Sequence, residues 1–501
     1  KGISLNFIYY SVSLLIIGFL FFYFNFYLTN QSLTSSKNPY SSSVVELSAF
    51  VICFIISVYL QNLKENIFLK ILIFFCFVFF ILRIPFSILS FENSILFVRN
   101  VDSFQLNNSI LVLITQYSIL FFTIYIFNPR LNSDKNLINL SFVNFTITFL
   151  ILLIFSNLLF NLFGEIGYES GKKFLTVFFN IFNSLRVCLI FTIIVFIILR
   201  KKYKIKNIYL KIFLFYVFFL LDTSLSGSRS GLFFVVLTLF ILILYYLNVK
   251  IIKLKYLLLS LILFLFLYLS FAVTTSFKTY STYKNVDKYL IAEKIAILEN
   301  ISKKNALEKM QSDKEWLKNF FIINFFNHFQ AITERIGYLD FYIEKQSNYE
   351  KYYKNKINLN YYYKPVLDRL SPGIDLFNVP FATKIIQEEY FKKMYKEKNI
   401  QKEFVTLVTN SEQITTFAET ESLFGKFSVL YYLFVVILIK FFLHVIAKFN
   451  IFLKEISFGV LLITFFDWLT GFGIDTFVVL TVYQFILVFI IYVLNKLYFL
   501  F

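Results

Sequence analysis

Cysteine and histidine are scarce in this chain, which has three cysteines and two histidines among 501 residues. Cys53, Cys76 and Cys188 all fall within apolar runs, a distribution that argues against both a disulfide framework and a zinc site. The chain also lacks a Walker sequence and a dinucleotide-binding fingerprint. No cluster of Asp, His or Cys has the spacing of a metal site, so we expect neither a metal nor a cofactor.

Apolar residues dominate the composition. Hydrophobic residues make up 58% of the chain, and the mean hydropathy is +0.71. Apolar runs of about 20 residues recur along the chain, each long enough to cross the roughly 30 Å of hydrocarbon in a bilayer. The fold class that we expect is therefore an all-α polytopic membrane protein with about twelve transmembrane helices. The first run is itself long enough to be a span, so we expect no cleavable signal.

The predicted spans fall into two groups that are separated by one large polar segment. Residues 1–275 form a transmembrane bundle of spans one to nine, residues 276–425 form a loop domain, and residues 426–501 hold spans ten to twelve. The predicted spans are 7–28, 44–61, 67–90, 109–128, 139–163, 174–199, 208–222, 231–248, 256–275, 426–447, 456–472 and 477–499.

Basic residues give a formal net charge of +18, and they cluster in short loops. The loops after spans four, six, eight and ten carry Arg130, Lys135, Arg200, Lys201, Lys202, Lys204, Lys206, Lys250, Lys253, Lys255, Lys448 and Lys454. Loops of this kind face the cytoplasm under the positive-inside rule. We therefore expect no nucleic acid partner, and we expect both termini in the cytoplasm. The alternate loops, including residues 223–230 and 276–425, then face outward.

Three arginines in or beside the spans suggest an anion site. Arg83 lies in the outer part of span three, Arg186 lies near the middle of span six, and Arg229 lies in the turn SGSRSG at residues 226–231. Charges within a membrane are costly and mark functional sites, and a guanidinium presents five donors that suit a diphosphate. The alternatives are an internal ion pair or helix carbonyls for Arg83 and Arg186, and a local pair between Arg229 and Asp222.

The segment 276–425 is too long for a simple connector. An apolar stripe in residues 319–344 is suited to lying on the bilayer surface or on the other spans. The tyrosines of residues 346–363 are suited to stacking on sugar rings or to anchoring at the interface. Two prolines and a glycine in residues 364–375 predict a shaped loop.

The SGSRSG turn that opens span eight, the plan of about twelve spans and the long outer segment late in the chain together resemble the Wzy-type O-antigen polymerases, the oligosaccharide repeat-unit polymerases. Residues 364–375 and the stretch that leads to Gly425 also resemble parts of such proteins. The resemblance implies a GT-C-like glycosyltransferase in the bacterial inner membrane, without a metal, whose active site faces the periplasm. It would move a growing glycan from undecaprenyl diphosphate onto a lipid-linked repeat unit.

The resemblance also implies roles for single residues. Arg229 matches the turn arginine that is expected to bind diphosphate, with Arg83 and Arg186 beside it, and Arg335 and Arg369 are candidate second-loop arginines. The enzyme must also activate an acceptor hydroxyl. The carboxylates that we consider for this general-base role are Glu419, Glu421 and Asp375. The expected partners are the lipid-linked glycan donor and acceptor, membrane lipid, a chain-length regulator protein and a flippase.

Three other functions stay open. The first is an O-antigen ligase, which transfers glycan to the lipid A core and depends on a histidine in its large outer loop, where this chain has His328. The second is a polysaccharide flippase or another transporter, although we see no internal repeat. The third, a glycosyltransferase with paired acidic residues in its first outer loop, is disfavoured because residues 29–43 contain no Asp or Glu.

Overall fold

A computed structural model describes residues 2–29, 42–85, 102–131, 251–253, 339, 342–343, 360–370, 377, 416–448 and 451–470, and isolated positions between 477 and 497. Nearly all of these residues are helical. Five of the described helices are long and apolar enough to cross a membrane, so the chain is an α-helical, multi-pass membrane protein. These five helices overlap the predicted spans 7–28, 44–61, 67–90, 109–128 and 426–447.

The described elements have the following bounds. They are strand β1 (Gly2–Ser4), helices α1 (Leu5–Thr29), α2 (Val44–Lys64) and α3 (Ile67–Cys76), a π-helical turn (Phe77–Ile81), helix α4 (Ser103–Phe127), strand β2 (Ile251–Lys253), helices α5 (Asn360–Leu370) and α6 (Thr416–Phe424), a 3₁₀ turn (Gly425–Phe427), and helices α7 (Ser428–Ala447) and α8 (Ile451–Thr470). The two strands pair antiparallel, with Ile3 opposite Ile252, and are an exception to the expected all-α class.

Each long helix contacts the next in the order α1, α2, α4, α7, α8 and α3. Helix α3 also contacts α2 and α4. Two contacts fix the relative direction of α2 and α4. The ring of Phe50 lies 6.0 Å from the ring of Tyr117, and further along both helices the Lys64 ammonium donates to the Tyr125 carbonyl at 2.8 Å. Because both contacts advance along the chain together, α2 and α4 run in the same direction.

Polar side chains fix the beginnings of α3 and α4. The Asn66 amide oxygen accepts from the Phe68 N–H at 2.9 Å, while its nitrogen donates to Asn128 Oδ1 at 2.9 Å and to the Pro129 carbonyl at 3.1 Å. The residue that caps α3 is therefore tied to the end of α4. Asp102 caps α4 with its carboxylate, so this helix begins at residue 103 rather than at the predicted residue 109.

Helix α3 forms the centre of the core. Eight of its ten residues are buried, and its rings meet those of α8 edge to face, with 5.3 Å between the centroids of Phe68 and Phe465 and 5.8 Å between those of Phe75 and Phe466. Such pairs add to the free energy gained by burying apolar area. Helices on the outside of the bundle instead present an exposed apolar face, as Phe434 of α7 does at 54% exposure.

Two local predictions were wrong. Lys454, which the sequence assigns to a basic loop, lies within α8 and is only 3% exposed. Residues 364–370 continue helix α5 instead of forming a shaped loop. Pro365 is the sixth residue of this helix, where it supplies no N–H to the backbone hydrogen bonds.

Candidate functional site

Helix α6 lies inside the helix bundle, although its sequence belongs to the polar segment 276–425. Its first five residues, 416–420, are all buried, and it contacts α4, α7 and α8. The ring of Phe417 lies 5.8 Å from the ring of Phe80 and 6.4 Å from that of Phe75, between centroids. The burial of this ring explains why a short helix with two glutamates is held between spanning helices.

The contacts of α7 show where along the length of α4 helix α6 lies. Ser428 begins α7 and accepts a hydrogen bond from Gln116 at 3.1 Å, and the Lys440 ammonium lies 5.6 Å from the centre of the Phe127 ring. Helices α4 and α7 therefore run in the same direction. Gln116 lies about 20 Å along α4 from Ser103, at 1.5 Å per residue. Helix α6 thus meets α4 near its midpoint.

A tight turn joins α6 to α7. Gly425 has a φ of +46°, a backbone conformation that glycine adopts with little strain. On either side of this turn, the rings of Phe424 and Tyr431 stack with 4.8 Å between centroids. The Tyr431 hydroxyl accepts a hydrogen bond from the indole N–H of Trp468 at 3.1 Å. The turn therefore fixes α6 against both α7 and α8.

Gln116 and Glu421 form the central contact of this site. The Gln116 amide nitrogen donates to Glu421 Oε2 at 2.6 Å and to Ser428 Oγ at 3.1 Å, across sequence separations of 305 and 312 residues. Gln116 is 3% exposed and Glu421 is half-buried. Both amide hydrogens have acceptors, whereas Oε1 of the same amide has no hydrogen-bond partner among the described residues.

The surroundings of Glu421 favour its neutral form. Burial raises the pKa of the Glu421 carboxyl, and the hydrogen bond from Gln116 opposes this rise because it stabilises the carboxylate. Tyr342 is close enough to Glu421 to be affected by its charge. Burial is the largest cause that raises the pKa of the Tyr342 hydroxyl, and the charges of Glu421 and then Tyr432 raise it further. The hydroxyl of Tyr342 is buried and has no hydrogen-bond partner in the described part of the chain.

Tyr342 and two of its neighbours show where part of the apolar stripe of residues 319–344 lies, for which the sequence left two possibilities, the bilayer surface and the other spans. Leu339, Tyr342 and Ile343 belong to the apolar stripe of residues 319–344, and all three are fully buried in the core. At these three positions the stripe therefore packs on other parts of the protein rather than on the bilayer surface.

Two of the predicted site residues flank the contact between Phe80 and Phe417. Arg83 follows Phe80 by three residues and is 3% exposed, and Glu419 follows Phe417 by two residues and is fully buried. Each side chain thus lies within one helical turn of the ring contact. The structure therefore buries a predicted diphosphate-binding arginine and a predicted base near the same junction.

The sequence did not single out Gln116, yet it carried a signal. Gln116 is a polar residue within the predicted span 109–128, among leucines and isoleucines. An amide in such a run must find a hydrogen-bond partner inside the protein. The partner is Glu421, which the sequence did single out.

Helix α5 includes Arg369, and the other predicted site residues, Arg186, Arg229, Arg335, Asp375 and His328, lie outside the described residues. Within the described ranges, no group of three or more His, Cys, Asp or Glu residues could hold a metal ion. Comparison of the chain with protein-family models, curated proteins and solved structures finds no match.

Proposed function

We propose that the chain is a membrane glycosyltransferase that polymerises undecaprenyl-diphosphate-linked repeat units into O-antigen or a related surface polysaccharide. The observation that carries this proposal is helix α6, which sets Glu421 against Gln116 between membrane-spanning helices. A lipid carrier holds its diphosphate at the membrane, so the base that activates the acceptor must stand close to the helix bundle. The turn at residues 226–231, with its resemblance to Wzy-type polymerases, supplies the anion-binding half of the site.

The proposed architecture is a GT-C-like bundle of about twelve spans in the bacterial inner membrane, with the segment 276–425 in the periplasm and both termini in the cytoplasm. The positions of basic residues support this orientation. The Asn6 amide donates a hydrogen bond to Asn62 Oδ1 at 2.8 Å, so the beginning of α1 and the adjoining strand pair lie at the end of the bundle that holds Lys64 and Arg130. Basic residues collect on the cytoplasmic side.

In the proposed reaction, arginines bind the diphosphate of the donor. Arg229 is the principal ligand, with Arg83 and Arg186 beside it, and the supporting residues in the periplasmic segment are Arg335 and Arg369. A guanidinium stays protonated at any working pH and stabilises the charge that develops on the leaving diphosphate. The bond between glycan and diphosphate is already activated, so the transfer needs no nucleotide.

A carboxylate completes the reaction by accepting the proton of the acceptor hydroxyl. The hydroxyl oxygen then bonds to the anomeric carbon of the donor, while the bond from that carbon to the diphosphate oxygen breaks. The electron pair of that bond leaves with the diphosphate. Glu421 is the first choice for the base because it is half-buried and hydrogen-bonded, and the alternatives are Glu419 and Asp375.

Deletion of the gene in its host, followed by electrophoresis of the surface glycan, tests this proposal. Loss of a polymerase leaves a single repeat unit on the core and removes the ladder of longer products. Loss of a ligase leaves no glycan on the core and polymer on the carrier lipid. An unchanged ladder would contradict the proposed function.

Complementation of the deletion strain tests the arginine. We expect Arg229→Ala to restore no ladder, because alanine removes the cation that binds the diphosphate. Arg130→Ala is the matched control, since Arg130 lies at the basic end of the bundle, and it should restore the ladder in full. A ladder of wild-type length with Arg229→Ala would exclude the proposed role of this residue.

A further inference from the structure

We propose that Gln116 and Glu421 form the binding site for the hydroxyl of the acceptor sugar, in which Glu421 takes the proton and Gln116 is the positioning residue. This inference rests on the proposed function and extends it to a residue of α4. Its starting point is the hydrogen bond of 2.6 Å that joins the two side chains.

The unpaired donors and acceptors around this hydrogen bond indicate which hydrogen-bonding groups a ligand at this site must have. Gln116 Oε1 is a buried acceptor without a partner among the described residues, and the carboxylate of Glu421 is a second acceptor. The hydroxyl of Tyr342, which is buried and without a described partner, is able to donate. Buried polar groups without partners are unfavourable, so a ligand that pairs with them binds here.

This mixture of donors and acceptors selects the class of ligand. The Gln116 amide oxygen and the Glu421 carboxylate accept hydrogen bonds, whereas the Tyr342 hydroxyl can donate one. A hydroxyl donates one hydrogen and accepts others, so a polyhydroxylated sugar satisfies both kinds of group. Water has the same hydrogen-bonding capacity, and the experiment below separates the two.

Gln116 also determines how Glu421 is oriented. Its amide donates to Glu421 and to Ser428 at the start of α7, which holds Oε2 of the carboxylate against α4. In the proposal, the acceptor hydroxyl meets the other carboxylate oxygen. In the transfer, the hydroxyl proton moves to Glu421, the hydroxyl oxygen bonds to the anomeric carbon, and the diphosphate leaves with its electron pair. Gln116 itself exchanges no proton.

The test uses purified full-length protein and the lipid-linked repeat unit extracted from the deletion strain. Elongation is measured as kcat/KM between pH 5 and 9, and binding is measured by the fluorescence of Trp468 in a Trp316→Phe background. The variants are Glu421→Gln and Gln116→Met, which keeps the length of the side chain without its amide. Gln61→Met is the control, since it removes a buried glutamine amide on α2.

We expect Glu421→Gln to lower kcat/KM by about 100-fold or more, as is typical when a general base is lost. Gln116→Met should lower it by about 10-fold and move the acidic limb of the pH profile to higher pH, because the lost hydrogen bond stabilised the carboxylate. A purely structural role would not move this limb. The other ionisable groups on the elements packed around Glu421 include Glu419, Tyr117, Tyr125, Tyr431, Tyr432, Lys440, His444, Lys454, Glu455, Asp467, Arg83 and Tyr342, and none of them is altered in these variants.

Each outcome decides between the proposals. Wild-type affinity, rate and pH profile in Gln116→Met would overturn the inference about Gln116, while elongation by the wild-type protein would leave the proposed function intact. Wild-type protein that binds the repeat unit without elongating it would overturn the proposed function, and a weaker affinity in Gln116→Met would still support the binding site. Hydrolysis of the lipid-linked unit without elongation would identify water as the occupant and would overturn the assignment to a sugar.

Discussion

The turn between α6 and α7 gives a prediction whose sign depends on one backbone angle. Gly425 has a φ of +46°, and a Cβ built on it would meet no atom within 4 Å. The whole effect of Gly425→Ala is therefore backbone strain, about 1 to 2 kcal/mol of lost stability. Gly18 provides the matched control, because it lies within helix α1 and a Cβ there would also meet no atom within 4 Å.

The same substitution at Gly18 should have the opposite effect. Alanine is favoured over glycine in a helix by roughly 0.5 to 1 kcal/mol, so Gly18→Ala should stabilise the fold and the two variants should differ by about 2 kcal/mol. Unfolding by SDS in mixed micelles, followed by fluorescence of Trp468 in a Trp316→Phe background, measures this difference. Gly425→Asn should fall between wild type and Gly425→Ala, because asparagine tolerates a left-handed φ. A stabilised Gly425→Ala variant would refute the left-handed turn and the seating of α6 that depends on it.

Three further predictions use the same unfolding measurement. Phe417→Ala should lower the free energy of unfolding by about 3 to 5 kcal/mol, because it leaves a cavity beneath two other rings, whereas Phe434→Ala on the exposed face should change it by less than about 1 kcal/mol; equal effects would contradict the burial of α6. Asn66→Ala should lower it by about 2 kcal/mol, since it removes a helix cap and two hydrogen bonds to the end of α4, and an unchanged value would contradict those contacts. Burial raises the pKa of Glu421, so the folded chain binds more protons than the unfolded chain between the ordinary and the raised pKa, and stability falls as pH rises through that interval. Glu421→Gln should flatten this slope while Glu65→Gln, at an exposed position, should keep it.

Local composition was sufficient to predict the class of the fold and the approximate positions of several helices. Long apolar runs identify spanning helices because length and hydropathy alone decide whether a segment can cross the bilayer. The ends of the helices were less predictable because single side chains determine them. Asp102 caps α4 seven residues before the predicted apolar run begins, and Lys454 lies inside α8 although its charge suggested a loop.

The arrangement around α6 was not predictable from local sequence. Residues 416–424 include two glutamates, two threonines and a serine, a composition that is typical of a surface segment. Their burial depends on partners that are distant in sequence: Phe417 meets α3 and the π-helical turn, and Glu421 meets Gln116 across 305 residues. A one-dimensional pattern identifies Glu421 as a candidate, but only the packing of helices assigns Gln116 to it.

The most direct measurement of the central claim is reconstitution. Purified full-length protein in vesicles would be given the lipid-linked repeat unit alone, without nucleotide, and the products would be separated by size. The account predicts a ladder of lipid-linked glycans that differ by one repeat unit, with one undecaprenyl diphosphate released at each step. Repeat units that cross the vesicle membrane without growing, or that remain unchanged, would contradict it.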